Sequence, residues 1–142
     1  MENSHNFFNE NNTPYFIAEI SSNHNKDIIR CYELIDRAAE IGCHAVKFQL
    51  FKIDELFSKE AINKHSYLNQ RKQWELPLDF IEKIKTRCVD KKINFGCTPF
   101  YLSAVDELYP YVDFYKIASY ELLWLDLIKK CASKLKPTII ST

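Results

Sequence analysis

The sequence predicts an α/β chain of parallel βα units, and three observations predict it. Apolar strand-like segments alternate with amphipathic helix-like ones in the order β-α-β-α-β-α-β-α-β. Strand centres recur every 20–30 residues or so, as right-handed crossovers through a helix require, with one longer gap. The polar residues within the strands gather near their carboxyl ends and share one face, which is where a (β/α)8 TIM barrel carries its site. The 142 residues therefore read as a (β/α)8 barrel represented by about five βα units.

Residues 1–14, MENSHNFFNENNTP, are polar and Asn-rich and read as a frayed tail, leaving 15–142 as the partial barrel domain. Residues 15–20 (YFIAEI) form the first strand, closed by the polar turn SSNHNKD. From 27 to 41 the apolar positions Ile28, Cys31, Tyr32, Ile35, Ala38 and Ala39 follow the 3.6-residue helical period. Gly42 then stands where a left-handed cap is needed. The second strand is 44–50, HAVKFQL. After it, 51–77 reads as a long functional loop inserted at a carboxyl end, where Trp74 is either a lid residue or a packing anchor. A helix over 78–91, a strand over 93–98, a short helix over 102–108 and a strand over 112–118 follow. A helix over 122–135 and a strand over 137–141 complete the series.

Composition excludes several classes. The 19 Lys and Arg balance 19 Asp and Glu, so no net field attracts nucleic acid or an anionic membrane. No apolar run approaches the roughly 18 residues of a membrane span, and the amino terminus lacks a signal-peptide core. Five cysteines, odd in number and without metal-type spacing, predict reduced thiols and a cytoplasmic location. Only two glycines are present, where average usage of about 7% gives roughly ten.

Alternation along the strands orients the polar residues. Val46, Phe48 and Leu50 must meet the helices, which turns Lys47 and Gln49 inward. Glu19 shares a face with Ile17, Thr98 with Gly96, Lys116 with Phe114, and Ser141 with Ile139. An unpaired Lys or Glu inside a barrel costs several kcal/mol, roughly, so this gathering favours a site. The plain alternative is that Glu19 pairs with Lys47 or Lys116 merely to close the interior. Two lysines among hydroxyl and amide groups suit a small anionic, hydroxyl-rich ligand. A Schiff-base lysine suits the same spacing, and both readings stand. His24, just after the first strand, is open to three roles: metal ligand, acid/base group or loop hydrogen-bonder. His44 and His65 read as surface residues, and Cys97 as a buried inert thiol.

Five segments carry a resemblance: IAEISSNHN (17–25), AVKFQLFK (45–52), FGCTPF (95–100), YKIASYE (115–121) and KPTIIST (136–142). In order and spacing they resemble the amino-terminal part of the sialic acid synthase family, which includes N-acetylneuraminate, legionaminate and pseudaminate synthases. The resemblance implies a (β/α)8 barrel that condenses phosphoenolpyruvate with an N-acylated amino sugar. The product is a nine-carbon 3-deoxy-2-ulosonic acid for carbohydrate biosynthesis. It implies that Lys47 and Lys116 hold phosphoenolpyruvate, with Thr98, Ser119 and Ser141 adding hydrogen bonds. Glu19 then stands at the reacting centre as a catalytic acid, Gln49 contacts the sugar, and Asn23 and His24 match the Asn-His pair after strand one. His24 is on that basis the second catalytic candidate and Asn23 a substrate contact.

Departures accompany the match. Ser21, Lys26 and Tyr120 stand where the family commonly has Gly, and Lys26 and Tyr120 are expected to narrow or recharge the mouth. Family members continue past IIST with Gly-Met into strands six to eight, which carry the histidines for a divalent Mn or Mg, and then into an antifreeze-like domain. The expectation is therefore that these 142 residues hold no metal ligands and are inactive alone, the full-length enzyme being a homodimer. Two other readings remain: a lysine aldolase of barrel type, or a non-catalytic remnant that assembles only with a complementary fragment.

Overall fold

The computed structural model describes residues 14–142, so all but the last residue of the expected tail lies outside the described residues. The elements in order are β1 (Ile17–Ser21), α1 (Ile28–Glu40), β2 (Ala45–Leu50), α2 (Ile53–Leu56), α3 (Lys59–Lys64) and α4 (Tyr67–Gln70). Then come α5 (Phe80–Asp90), β3 (Asn94–Pro99), α6 (Leu102–Leu108), β4 (Phe114–Ile117), α7 (Leu125–Ala132) and β5 (Thr138–Ile140). All pairings are parallel and the strand order is β1-β2-β3-β4-β5. A doubly wound sheet reverses its order at a switch point. Here every crossover advances one strand in the same sense, which is the arc of a barrel.

The two faces have different contents. Val46, Phe48, Leu50, Phe95, Cys97, Tyr115 and Ile117 join the inner faces of α1, α5, α6 and α7 in one buried cluster. On the other face Ala45 and Phe114 pack with Tyr15, Ile17 and Ile139, forming an apolar floor beneath the polar residues. α1 begins where the Asp27 carboxylate accepts from the amides of Ile29 and Arg30. It ends where Gly42, at φ 86°, and Cys43 donate back to Ala39 and Ala38, the paired bonds of a Schellman cap.

Two expectations need correction. The segment 51–77 is not loop but α2, α3, α4 and a 3-10 turn over Arg71–Trp74, built around Phe51, Ile53, Ile62 and Leu68. Helices of four to six residues are too short to show a period, so the sequence pattern missed them. Glu75 closes the unit by accepting from the amide of Ile53 at 2.7 Å. The helix expected over 122–135 is only Leu125–Ala132, because a 3-10 turn over Ser119–Glu121 first folds the chain back across the end of β4. Its apolar flanks stay outside, with Leu123 and Leu135 exposed.

Candidate functional site at the carboxyl ends of the strands

The site is built by register. Glu19 pairs with Lys47, Lys47 with Gly96, and Gly96 with Phe114, so one row crosses four strands. Gln49 and Thr98 face each other in the next row toward the carboxyl ends. Lys116 follows Phe114 at a two-residue step and is paired with Ile139 on β5. Inward alternation thus brings together Glu19, Lys47, Gln49, Thr98, Lys116 and Ser141, as the strand pattern required.

Lys47 is buried and its ammonium lies 2.7 Å from Glu19, whose side chain is 54% exposed. The pair exists, but its acid faces the open end of the sheet while its cation lies inside. Lys116 donates to the carbonyl of Ile117 at 2.8 Å and to the Ser141 hydroxyl, both neutral oxygens. Burial, followed by the nearby Lys47 charge, holds the Lys116 amine below the usual lysine range, against the pull of Glu19 and Glu121. An anion bound here would supply the counter-charge that both lysines share incompletely.

Besides one in the β1–α1 loop, two buried polar atoms at this end have no hydrogen-bond partner among the described residues. One is Thr98 Oγ1, on a residue with no exposed surface. The other is Glu121 Oε2, in the turn after β4. Burial pushes the Glu121 carboxyl above the usual range, with Lys116 acting in the opposite direction. Buried polar groups are normally paired, so open partners facing two lysines are the mark of a binding surface. Glu121 was not singled out from the sequence. The available signals were its place at the end of the segment YKIASYE and an acid in the otherwise apolar and aromatic run YELLWL.

The β1–α1 loop holds the remaining candidates. Gln49 Oε1 accepts from the hydroxyls of Ser21 at 2.8 Å and Ser22 at 3.3 Å, so strand two is tied to this loop. The Asn23 amide donates to the carbonyl of Ile20 at 3.0 Å, and its own carbonyl accepts from Arg30. His24 is fully buried; its Nδ1 accepts from the amide of Lys26 at 3.0 Å, and Nε2 has no partner of good geometry. Burial lowers its pKa, opposed by the backbone of Trp74 and aided by Lys26, so the ring is neutral near pH 7. Ser119 is exposed at the start of the turn that carries Glu121. His44 and His65 are exposed, and Cys97 is buried with its thiol pushed far up. Trp74 borders His24 and lies under Arg71 at 5.7 Å, so it anchors the inserted unit to the loop.

Among the described residues no group of three His, Cys, Asp or Glu side chains converges to hold a metal ion. The described residues therefore supply no ligand set that fits the divalent metal the resemblance implies. No helix among the described residues is long and apolar enough to cross a membrane.

Fold and site together define a βα-barrel-type protein with two inward lysines at the carboxyl ends of its strands. The chain belongs to the NeuB family, which it matches over residues 34–142. It is 34% identical to the spore coat polysaccharide biosynthesis protein SpsE of Bacillus subtilis, over 90% of this chain and 36% of that protein. It is also 34% identical to an N,N'-diacetyllegionaminic acid synthase of Campylobacter jejuni, over 89% of this chain and 41% of that one. The N-acetylneuraminic acid synthetase of Leptospira borgpetersenii, solved with citrate, superposes with a TM-score of 0.81 at 29% identity, covering 90% of this chain and 44% of that chain. A 3-deoxy-D-arabino-heptulosonate 7-phosphate synthase of Thermotoga maritima shares the fold, with a TM-score of 0.65 at 12% identity. The chain spans about two fifths of the length of the relatives it matches.

Proposed function

We propose that these residues form the phosphoenolpyruvate-binding part of a sialic acid synthase-type active site. The observation that carries this reading is the pair Lys47 and Lys116, held inward at the strand ends, with the half-exposed Glu19 as the one carboxylate in ion-pair contact with either among the described residues. In the reaction C3 of phosphoenolpyruvate attacks the aldehyde carbon of an N-acylated amino sugar. The aldehyde oxygen takes a proton, water adds at C2 with loss of its own proton, and the C2–O bond to phosphate breaks. Lys47 and Lys116 hold the carboxylate and phosphate charges throughout, fixed in place before charge moves. Thr98 and Ser141 offer hydroxyls to the same anion, and Ser119 stands at its rim. Glu19 faces the open end, where the sugar enters, and Gln49 offers its NH2 group, since its carbonyl is taken by the two serines. The citrate in the Leptospira structure shows that a relative accepts a polycarboxylate, in keeping with an anion site.

The test is titration of the protein with phosphoenolpyruvate, followed by calorimetry, for the native chain and for Lys47→Met and Lys116→Met. Each substitution removes a charge-assisted bond and is expected to weaken binding by about 10- to 100-fold. Binding that neither substitution weakens would overturn the reading.

The lowered Lys116 amine favours one second reading, a lysine aldolase that forms a Schiff base with a keto acid. Borohydride reduction in the presence of pyruvate, followed by mass spectrometry, separates the two. A stable adduct on Lys116 would establish the aldolase; no adduct is expected.

A further inference from the structure

The inserted unit is closed on itself. Glu75 accepts from the amide of Ile53, and Lys72 pairs with Asp54 at 2.9 Å, so its two ends are tied together. Phe51, Ile53, Ile62 and Leu68 form a core separate from the one between the sheet and its helices. A unit tied at its ends and packed on its own core moves as one piece. Toward α6 it is held by Lys52, 4.0 Å from Glu107, a long ion pair between partly exposed side chains that contributes little. Toward the β1–α1 loop it meets His24.

His24 is a buried titratable group that the anion site does not use, and its ring has no exposed surface. Nδ1 accepts from the Lys26 amide at 3.0 Å, so in the neutral ring the proton is on Nε2. The lone pair that metal ligation or base catalysis needs is thereby committed to the loop. Nε2–H faces the backbone of Trp74. Burial lowers the pKa of the ring and that backbone opposes the effect, as a carbonyl oxygen does and an amide N–H does not. Yet Nε2 makes no hydrogen bond of good geometry. A small approach of one group to the other completes the bond. The β1–α1 loop does not supply that movement, since Ser21 and Ser22 tie it to Gln49 and Asn23 ties it to Arg30. The inserted unit, held more loosely, does. We propose that His24 is a positioning residue that latches the inserted unit, its Nε2–H donating to the Trp74 carbonyl when the unit closes on the β1–α1 loop. The Arg71 guanidinium stacks on the Trp74 ring, 5.7 Å from its centroid, so the latch also fixes where that cation stands. Arg71 borders a cleft of about 550 Å³, walled by Leu56, Phe57 and Phe100, between the inserted unit and the turn after β4. The latch therefore sets the width of that cleft. His24 acts at a distance from the reacting atoms, and not as an acid, a base or a metal ligand.

Two substitutions separate the two bonds of the ring. In His24→Asn the side-chain oxygen reaches about as far as Nδ1 and still accepts from the Lys26 amide, but nothing donates to Trp74. In His24→Gln the side-chain nitrogen reaches about as far as Nε2 and still donates toward Trp74. Hydrogen–deuterium exchange of the native chain and both variants, read by mass spectrometry, reports opening of the unit. His24→Asn is expected to speed exchange over 51–75 about five- to tenfold, the effect of one hydrogen bond, and to leave α1 unchanged. His24→Gln is expected to stay within about threefold of the native chain. Equal exchange in all three, equal loosening in both variants, or acceleration that extends to α1 would overturn the latch. Long-range proton–nitrogen correlation NMR of the native chain reads the tautomer directly, and decides the matter even if a variant fails to fold. The expected proton is on Nε2 of His24; a proton on Nδ1 would overturn the proposal.

Discussion

The ring of Phe114 on β4 lies directly against the Cα of Gly96 on β3, its register partner; a Cβ built on Gly96 would sit 2.0 Å from Phe114 Cζ. Gly96 is thus demanded by a side chain on the neighbouring strand, and not by backbone conformation. The ring in turn forms the floor beneath Lys47 and Lys116. Gly96→Ala is expected to destabilise the fold by about 2–3 kcal/mol through overpacking. Combining it with Phe114→Leu should recover part of that loss, with a coupling of about 1 kcal/mol in urea unfolding. Purely additive effects would contradict the contact.

Thr98 separates binding from stability. Its hydroxyl is buried without a partner in the free protein. Thr98→Val keeps the shape and removes that unpaired group, so it is expected to leave stability unchanged or raise it by up to about 1 kcal/mol. The same change should weaken phosphoenolpyruvate binding about tenfold, since it removes a hydroxyl that is open to donate to a bound anion. Thermal melting and calorimetry read the two effects on one sample. A loss of stability with intact binding would assign Thr98 a purely structural role.

Glu121 carries a pH signature. Its carboxyl is raised by burial, so between the ordinary carboxylate pKa and the raised value the folded chain holds a proton that the unfolded chain has lost. Its contribution to stability is therefore complete below that ordinary value and is lost as pH rises through the raised one. Glu121→Gln lacks this loss. The melting temperature of the variant minus that of the native chain is expected to grow as pH rises above the ordinary carboxylate value. Asp36 and Asp106, lowered by hydrogen bonds from Arg87 and from Lys130, impose the opposite trend on both proteins and cancel in the difference. A flat difference would mean that Glu121 is not raised.

The end of β1 and the β1–α1 loop store backbone strain at three non-glycine residues with positive φ: Ser21 at 55°, Asn25 at 50° and Lys26 at 54°. Lys26→Gly is expected to relieve about 1 kcal/mol, since only a side chain is lost and the amide can still donate to His24. Ser21→Gly should gain less, because it forfeits the hydroxyl that holds Gln49. Chemical denaturation of the two variants tests the order. A larger gain at Ser21 would show that the Gln49 tie contributes nothing.

Much of the site was legible because a strand has a period of two. Once Val46, Phe48 and Leu50 were assigned to the helix layer, Lys47 and Gln49 had no other direction, and Glu19, Thr98 and Lys116 followed by the same step. Short-range signals also held up: the Gly42 cap and the extent of α6. What failed was local structure without a period. The helices of the inserted unit and the turn that delays α7 depend on contacts between residues distant in sequence, such as Glu75 with Ile53 and Phe100 with Phe51.

By itself, then, the sequence determined the order and direction of the βα units, the inward set of polar residues and, through five spaced motifs, the family. Those follow from backbone periodicity and from residue identity, which are properties of the chain. Only the tertiary structure decided that Glu121 is buried with one oxygen unpaired beside Lys116, that Phe114 dictates Gly96, that His24 is buried next to the Trp74 backbone, and that the inserted unit borders an apolar cleft. Each of those is a matter of distance between side chains that no spacing rule relates, settled when strands and inserted helices close on one another.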